Sequence, residues 1–205
     1  MAIYGFEFIG TFFLILTIAL TGNPIAIGFM LVALLYAGGS ISGAHYNPAV
    51  TLALLLRKKI TSQVAKKYII SQFAGGIAAC LLSSLVFTAP LVVEPQAPWV
   101  SALIAEVMFT FLLVTTVLHV AATKKTAGNQ YFGLAIGGVV LASAFAVGKI
   151  SGGALNPVVG IAPLVTNAVL GRELFDPSLF FLYIIGPLTG SFLASLFHQF
   201  SQHNA

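Results

Sequence analysis

Residues 38–53, GGSISGAHYNPAVTLA, are repeated at residues 147–162 as VGKISGGALNPVVGIA. Without a gap, eight of the sixteen positions are identical, including Ile-Ser-Gly and Asn-Pro in both copies. In each copy, Asn is placed as the cap of a helix and Pro as its first residue. The apolar segment that follows runs for only about nine to twelve residues, which is too short to cross a bilayer. The sequence therefore predicts two half-length helices.

Two further blocks repeat in the same order. Residues 7–12 and 106–111 share the pattern Glu-x-x-x-Thr-Phe, and residues 68–75 and 183–190 share Tyr-Ile-Ile followed by Gly. These matches indicate a duplication within one domain, residues 1–205. We place the repeats at about residues 1–90 and 99–198.

The composition is that of an integral membrane protein. Hydrophobic residues make up 59% of the 205 residues, charged residues only 7%, and the mean hydropathy is +1.02. An ordinary soluble domain carries about 25% charged residues. The net charge is +4, and the basic residues lie in short clusters between apolar runs. We therefore interpret them as a topology signal and not as a sign of affinity for nucleic acid. The single cysteine, Cys80, excludes a disulfide within the chain.

Six stretches are long and apolar enough for spanning helices, each near the required length of about 20 residues. They are residues 3–20, 24–43, 67–90, 99–123, 130–149 and 177–197. The alternation of apolar and polar residues that a transmembrane β-strand requires is absent. The sequence therefore predicts an all-α membrane protein with six transmembrane helices and two re-entrant half-helices. Each repeat contains three spans, an odd number, so the second repeat enters the membrane from the opposite face and the 3+3 repeat is inverted.

The inversion brings the two Asn-Pro pairs together. Half-helices that enter from opposite faces meet near the midplane with their positive dipole ends at one place. A half-helix at membrane depth requires protein or a water-filled cavity around it, which indicates a pore or a substrate cavity. The side-chain amides of Asn47 and Asn156 would supply donors there. This lining suits neutral hydrogen-bonding solutes and opposes cations.

The basic residues predict the orientation. If the six spans alternate, seven Lys and Arg lie on one side and two on the other, which predicts a multi-pass protein with both termini in the cytoplasm. The seven are Arg57, Lys58, Lys59, Lys66, Lys67, Lys124 and Lys125, and the two are Lys149 and Arg172.

Several motifs are distributed along the sequence, namely SGAHYNPAV at residues 42–50, the second Asn-Pro pair, QFAG at residues 72–75, and the glutamates Glu7 and Glu106. Taken together, they resemble the aquaporin (major intrinsic protein) family over essentially the whole chain. The resemblance implies tilted helices, half-helices stacked at their Asn-Pro ends, a pore within each subunit, and a homotetramer in the cell membrane. It assigns two pore motifs, Asn47-Pro48-Ala49 and Asn156-Pro157-Val158.

The chain departs from the family at the selectivity filter. Carried over from the two motifs, the filter positions fall on Ile27, Ala144, Gly153 and Val159, and Val159 stands where the family usually has arginine. Valine lacks the five donors and the fixed charge of a guanidinium. We therefore expect a wider, more apolar opening that passes water and small neutral solutes such as glycerol, urea, ammonia or peroxide.

The polar residues in apolar surroundings have two readings each. An intramembrane carboxylate is costly, so Glu7 and Glu106 are either proton relays or, as the resemblance implies, supports for the loops before the half-helices. His45 is either a titrating group that faces the pore or a residue that packs in and shapes the loop. Its partner in the second repeat, Ala154, favours the second interpretation at least as much as the first. An extended segment would place Lys149 at the outer mouth, where it partly restores the missing charge or is simply solvated.

Two other functions stay open at this level. Broken helices in an inverted repeat also serve secondary transporters, in which Glu7 or Glu106 would couple to an ion. A structural membrane protein with a closed pore is the third. The sequence contains no catalytic motif, metal-ligand spacing or cofactor motif, so we expect neither an enzyme nor a bound cofactor.

Overall fold

The computed structural model describes residues 1–172 and 176–203, which contain eight α-helices and no β-strand. A single 3-10 turn, Lys124–Thr126, connects α5 to α6. The helices are α1 (Ala2–Thr21), α2 (Pro24–Gly38), α3 (Pro48–Leu56), α4 (Ser62–Leu85), α5 (Trp99–Ala121), α6 (Phe132–Ser151), α7 (Pro157–Val169) and α8 (Pro177–His203). The predicted all-α membrane fold is confirmed.

Both half-helices begin at their Asn-Pro pairs, as predicted, and are short. The first has 9 residues and the second 13, one more than the upper prediction. Five of the other helices, α1, α4, α5, α6 and α8, are long and apolar enough to cross a membrane. α2 is apolar but has 15 residues, which corresponds to about 22 Å.

Four predicted span boundaries are wrong by five or six residues, in α2, α4 and α8; the last of these, α8, continues to His203, beyond the predicted residue 197. α2 ends at Gly38 and not at residue 43, because residues 39–42 form a turn whose amides bond back to Leu35 and Gly38. α4 begins at Ser62, earlier than the predicted residue 67, since the Thr61 hydroxyl accepts a hydrogen bond from Val64 N (3.3 Å) and caps the helix. It also ends at Leu85, five positions before the predicted end.

The long helices pack in equivalent pairs. α1 packs on α4 and α5 packs on α8. At the first crossing, a Cβ on Gly75 would collide with the main-chain carbonyl of Phe8. At the second, a Cβ on Gly190 would collide with the carbonyl of Val107 in the same way. The glycines of the third repeated block are thus the points at which the two backbones touch.

Each half-helix lies between long helices of both repeats. α3 and α7 both pack against α4 and α8. The Ser191 hydroxyl of α8 donates to the Ala49 carbonyl of α3 at 2.6 Å, and the Val158 side chain of α7 lies against Gly76 of α4. This packing holds the first turns of α3 and α7 at the centre of the bundle, facing each other.

Candidate functional site

A cavity of about 1040 Å³ runs through the bundle past the starts of both half-helices. One end is lined by residues of the 86–98 loop and the end of α6, including Lys149, and is called here the Lys149 end. The other is lined by Tyr36 and by residues of the loop between α5 and α6, including Asn129, and is called the Asn129 end. Asn47 and Asn156 line the middle, so the cavity connects both ends of the bundle.

The two asparagines are arranged alike and bond to each other's repeat. Each side-chain oxygen caps its own helix, Asn47 Oδ1 accepting from Ala49 N (2.8 Å) and Asn156 Oδ1 from Val158 N (3.0 Å). The Asn47 amide donates to the Leu155 carbonyl and the Asn156 amide to the Tyr46 carbonyl, both at 2.9 Å. Each amide therefore has one N–H left for the cavity, which gives the centre two donors.

The loop before each asparagine has the same unusual backbone. Tyr46 and Leu155 have φ of 50° and 49°, in the left-handed region that non-glycine residues rarely adopt. Gly43 and Gly152, three residues earlier, also have positive φ, 83° and 86°. Left-handed geometry at a non-glycine residue costs about 1–2 kcal/mol. Hydrogen bonds of the two loops hold it, and it turns the carbonyls of Tyr46 and Leu155 toward the opposite asparagines.

Glu7 supplies most of those bonds in the first repeat. Its Oε1 accepts from the Ser42 hydroxyl (2.7 Å) and His45 N (3.0 Å), and its Oε2 accepts from Tyr46 N and Gln72 Nε2, both at 2.8 Å. The carboxylate is fully buried, and four donors use its full acceptor capacity. It ties α1 to the loop that precedes α3.

Glu106 does the same in the second repeat with three donors. Its Oε1 accepts from the Ser151 hydroxyl (2.7 Å) and Ala154 N (3.0 Å), and its Oε2 accepts from Leu155 N (2.7 Å). This carboxylate is also fully buried. Both glutamates thus contact the residues that the resemblance implies, namely the loops before the half-helices.

A tyrosine completes each loop, a role that the sequence reasoning missed. Tyr68 donates to the Ser42 carbonyl at 2.7 Å, and Tyr183 donates to the Ser151 carbonyl at 2.8 Å. The signal was present in the third repeated block, which begins with these two tyrosines.

All four residues assigned to the selectivity filter line the cavity, which extends from them to the Lys149 end. Gly153 lies against α6, since a Cβ there would be 3.7 Å from the Ala144 Cα. Ile27 and Val159 are buried at 8% and 5% exposure. None of the four side chains carries a polar atom, so this part of the wall offers solutes only main-chain groups and apolar surface.

Lys149 lines the cavity, but the predicted extended segment around it is wrong. α6 continues to Ser151, so Lys149 lies in its last turn. Its carbonyl accepts from Gln96 N (3.2 Å), and the Ile150 carbonyl accepts from Ala97 N (3.3 Å). These two bonds hold the 86–98 loop over this end of the cavity, where Glu94 lies in the lining with Lys149. Among the lining residues that the structure describes at this mouth, Lys149 is an exposed cation and Glu94 an exposed anion.

A second anchor of the 86–98 loop was also missed. Asn167 Nδ2 donates to the Leu91 carbonyl at 3.0 Å, and its Oδ1 accepts from Arg172 at 3.1 Å. Arg172 also donates to the Ser84 hydroxyl at 3.0 Å. The sequence signal for this anchor is Asn167 itself, a polar residue within the apolar half-helix α7.

His45 lies in the loop before α3 and lines the cavity. Its Nδ1 is 3.1 Å from the Thr51 hydroxyl oxygen, and its ring packs edge-on against Tyr68 with centroids 4.9 Å apart. The side chain thus lines the cavity and is also packed and hydrogen-bonded within the loop before α3.

Comparisons with known proteins agree with this geometry. The family model described as Major intrinsic protein matches residues 16–198. The chain is 34% identical to Aquaporin AqpM of Methanothermobacter thermautotrophicus, covering 95% of this chain and 94% of that one. It is 35% identical to Glycerol uptake facilitator protein-like 6 of Lactiplantibacillus plantarum, covering 92% and 93%. The structure of the aquaglyceroporin from Plasmodium falciparum superposes with a TM-score of 0.81 at 20% identity, covering 95% of this chain and 93% of that one.

Proposed function

Since this chain belongs to the major intrinsic protein family and is a passive channel for water and small solutes, we propose that the solutes it conducts include glycerol and urea. The observation that carries the proposal is the lining of the cavity between the two asparagines and the Lys149 end, where Ile27, Ala144, Gly153 and Val159 contribute no side-chain donor. Two of these residues are alanine and glycine, which leave room for a solute wider than water.

The centre of the cavity supports selection for neutral solutes. The first turns of α3 and α7 face each other there, so the positive ends of two helix dipoles oppose cations. One free N–H on each of Asn47 and Asn156 is available to a passing hydroxyl or carbonyl oxygen. The same two dipoles exclude protons at this centre. The filter contributes little to proton exclusion, because it lacks the positive charge that arginine would add.

The hydrogen bonds of the glutamates favour a channel over an ion-coupled transporter. Glu7 accepts four donors and Glu106 three, all from the chain itself. A carboxylate that relays protons must release such partners, which would dismantle the loops that position the asparagines. The continuous cavity likewise favours conduction over a closed structural role.

We further propose the assembly and orientation that the resemblance and the basic residues imply. The chain forms a homotetramer with one pore per subunit. The Asn129 end faces the cytoplasm together with both termini, and the Lys149 end faces outward, in the cell membrane.

The test is stopped-flow permeability of proteoliposomes to water and glycerol, with a pH-sensitive dye recording proton leak. We expect the wild type to conduct both without proton leak. Val159→Arg should reduce glycerol permeability by at least about tenfold, equivalent to about 1.4 kcal/mol of barrier, and reduce water permeability less. Val159→Ile is the matched control, because it adds volume without charge.

Two results would contradict the proposal. Water flux without glycerol flux in the wild type would show that the wall is narrower than proposed. Glycerol permeability that is unchanged in Val159→Arg would show that residue 159 does not form the filter.

A further inference from the structure

Three side chains of the first repeat form a hydrogen-bonded chain that the second repeat does not contain. Gln72 donates to the Thr51 hydroxyl (3.0 Å), and Thr51 contacts His45 Nδ1 (3.1 Å). In the second repeat, the positions equivalent to Gln72, Thr51 and His45 hold residues without a polar side chain. These residues are Pro187, Gly160 and Ala154, respectively. These three hydrogen-bonded side chains are therefore not needed to build a half-helix. Their function belongs to one side of the channel.

Glu7 sets the orientation of the Gln72 amide. The Glu7 carboxylate accepts from Ser42, His45 and Tyr46 as well as from Gln72, so it has no proton to donate. Gln72 must therefore present its NH2 group. One N–H goes to Glu7 Oε2 and the other to Thr51, while Gln72 Oε1 is buried without a partner.

The Thr51 hydroxyl then determines which nitrogen of His45 carries the proton. A hydroxyl has one proton and two acceptor lone pairs. The Asn47 carbonyl, 3.0 Å away, only accepts, so the Thr51 proton goes there. Gln72 uses one lone pair. The contact to His45 is a hydrogen bond only if Nδ1 donates to the second lone pair.

We infer that His45 is held as the Nδ1–H tautomer and presents the lone pair of Nε2 to the cavity as a fixed hydrogen-bond acceptor. His45 lines the cavity, and its Nε2 is not among the buried side-chain atoms without a partner. It lies on the Asn129 side of the two asparagines. A solute that accepts from Asn47 or Asn156 at the centre therefore meets an acceptor for its own N–H or O–H next.

The first test is solid-state NMR of the full chain in lipid bilayers, with ¹⁵N,¹³C-labelled histidine at neutral pH. An unprotonated imidazole nitrogen resonates far downfield of a protonated one, and its correlation to Cδ2 identifies it as Nε2. The His45 signals are those missing from His45→Gln. We expect an unprotonated Nε2; a protonated Nε2 or a mixture of tautomers overturns the inference.

Variants of Thr51 test the positioning role. Thr51→Ser keeps the hydroxyl and should keep the Nδ1–H spectrum, whereas Thr51→Val removes the acceptor and should give a mixture of tautomers. Thr110→Val is the matched control, since Thr110 is also fully buried and its hydroxyl has no partner. A Thr51→Val spectrum identical to the wild type shows that Thr51 does not set the tautomer.

The consequence for permeation rests on the proposed function. Urea carries four N–H donors, so its permeability relative to water should fall about two- to tenfold in Thr51→Val, the range for one net hydrogen bond. Thr51→Ser and Thr110→Val should keep the wild-type ratio. An unchanged ratio in Thr51→Val overturns the role of the acceptor. Absence of urea flux in every variant contradicts the proposed function instead, and the NMR spectrum still decides the tautomer.

Discussion

At the scale of single residues, Glu7 and Glu106 show how a carboxylate is kept inside a membrane protein. A buried charge is costly unless hydrogen bonds satisfy it. Glu7 has four donors and Glu106 three, and most belong to the loops whose left-handed residues need support. The cost of burial and the cost of the strained backbone are offset by the same bonds.

Glu7→Gln should destabilise the chain strongly. The amide replaces one acceptor oxygen by a donor, which then faces two N–H or O–H groups that it cannot bond. Hydrogen bonds to charged groups contribute about 1.5–3 kcal/mol, so the unfolding temperature in detergent should fall by roughly 5–10 °C. Glu94→Gln, an exposed change in the 86–98 loop, is the control and should leave the temperature unchanged. Equal unfolding temperatures in the two variants would contradict this role of Glu7.

The residues that the sequence located best are those that the repeat duplicates. Asn47 with Asn156, and Glu7 with Glu106, stood out because each occurs twice at matching places. Thr51 and Gln72 were missed as partners of His45, since they lie on different helices and lack counterparts in the second repeat. A repeat reveals what both halves share and hides what only one half has.

At the scale of elements, the crossings of α1 with α4 and of α5 with α8 depend on glycine. Gly75 and Gly190 let one backbone touch the carbonyl of another, so no larger residue fits without separating the helices. Some glycines elsewhere in the bundle have open space around them. Gly138 of α6 is exposed, and a Cβ there would meet nothing within 4 Å.

Gly75→Ala and Gly138→Ala should therefore have opposite effects. The first should lower the free energy of unfolding by about 1–3 kcal/mol, the cost of overpacking a close contact. The second should have no cost or add up to about 1 kcal/mol, because alanine favours a helix. Thermal unfolding of both variants in the same detergent measures the difference. If Gly75→Ala is as stable as Gly138→Ala, the α1 and α4 backbones do not approach as described.

Helix starts followed from the sequence better than helix ends. Asn followed by Pro starts α2, α3 and α7, because the side-chain oxygen caps the helix and Pro fits its first turn. The end of α2 was placed too late, since residues 39–43 are small and apolar enough to continue a helix by composition. Their true partners, Glu7 and Tyr68, lie far away in the chain, and local pattern does not reveal them.

At the scale of the whole molecule, the single cysteine allows a direct test of orientation. Cys80 is buried in α4 at 1% exposure, so a membrane-impermeant maleimide should not label the native wild type. In intact cells, Gln96→Cys in the 86–98 loop should be labelled. Lys59→Cys, on the α3 to α4 connection, should be labelled only after permeabilisation. The reverse pattern would contradict termini in the cytoplasm.

The exchange of hydrogen bonds between the two asparagines also has a consequence for biosynthesis. Asn47 bonds a carbonyl that lies 108 positions later in the chain. At about 5–20 residues per second, the ribosome reaches that carbonyl roughly 5–20 s after Asn47. During that interval, the centre lacks its second half-helix and the Tyr46 carbonyl lacks its partner. The hydrogen bonds at the centre of the channel therefore form only after the second half-helix has been synthesised, so an incomplete nascent chain has no assembled channel centre.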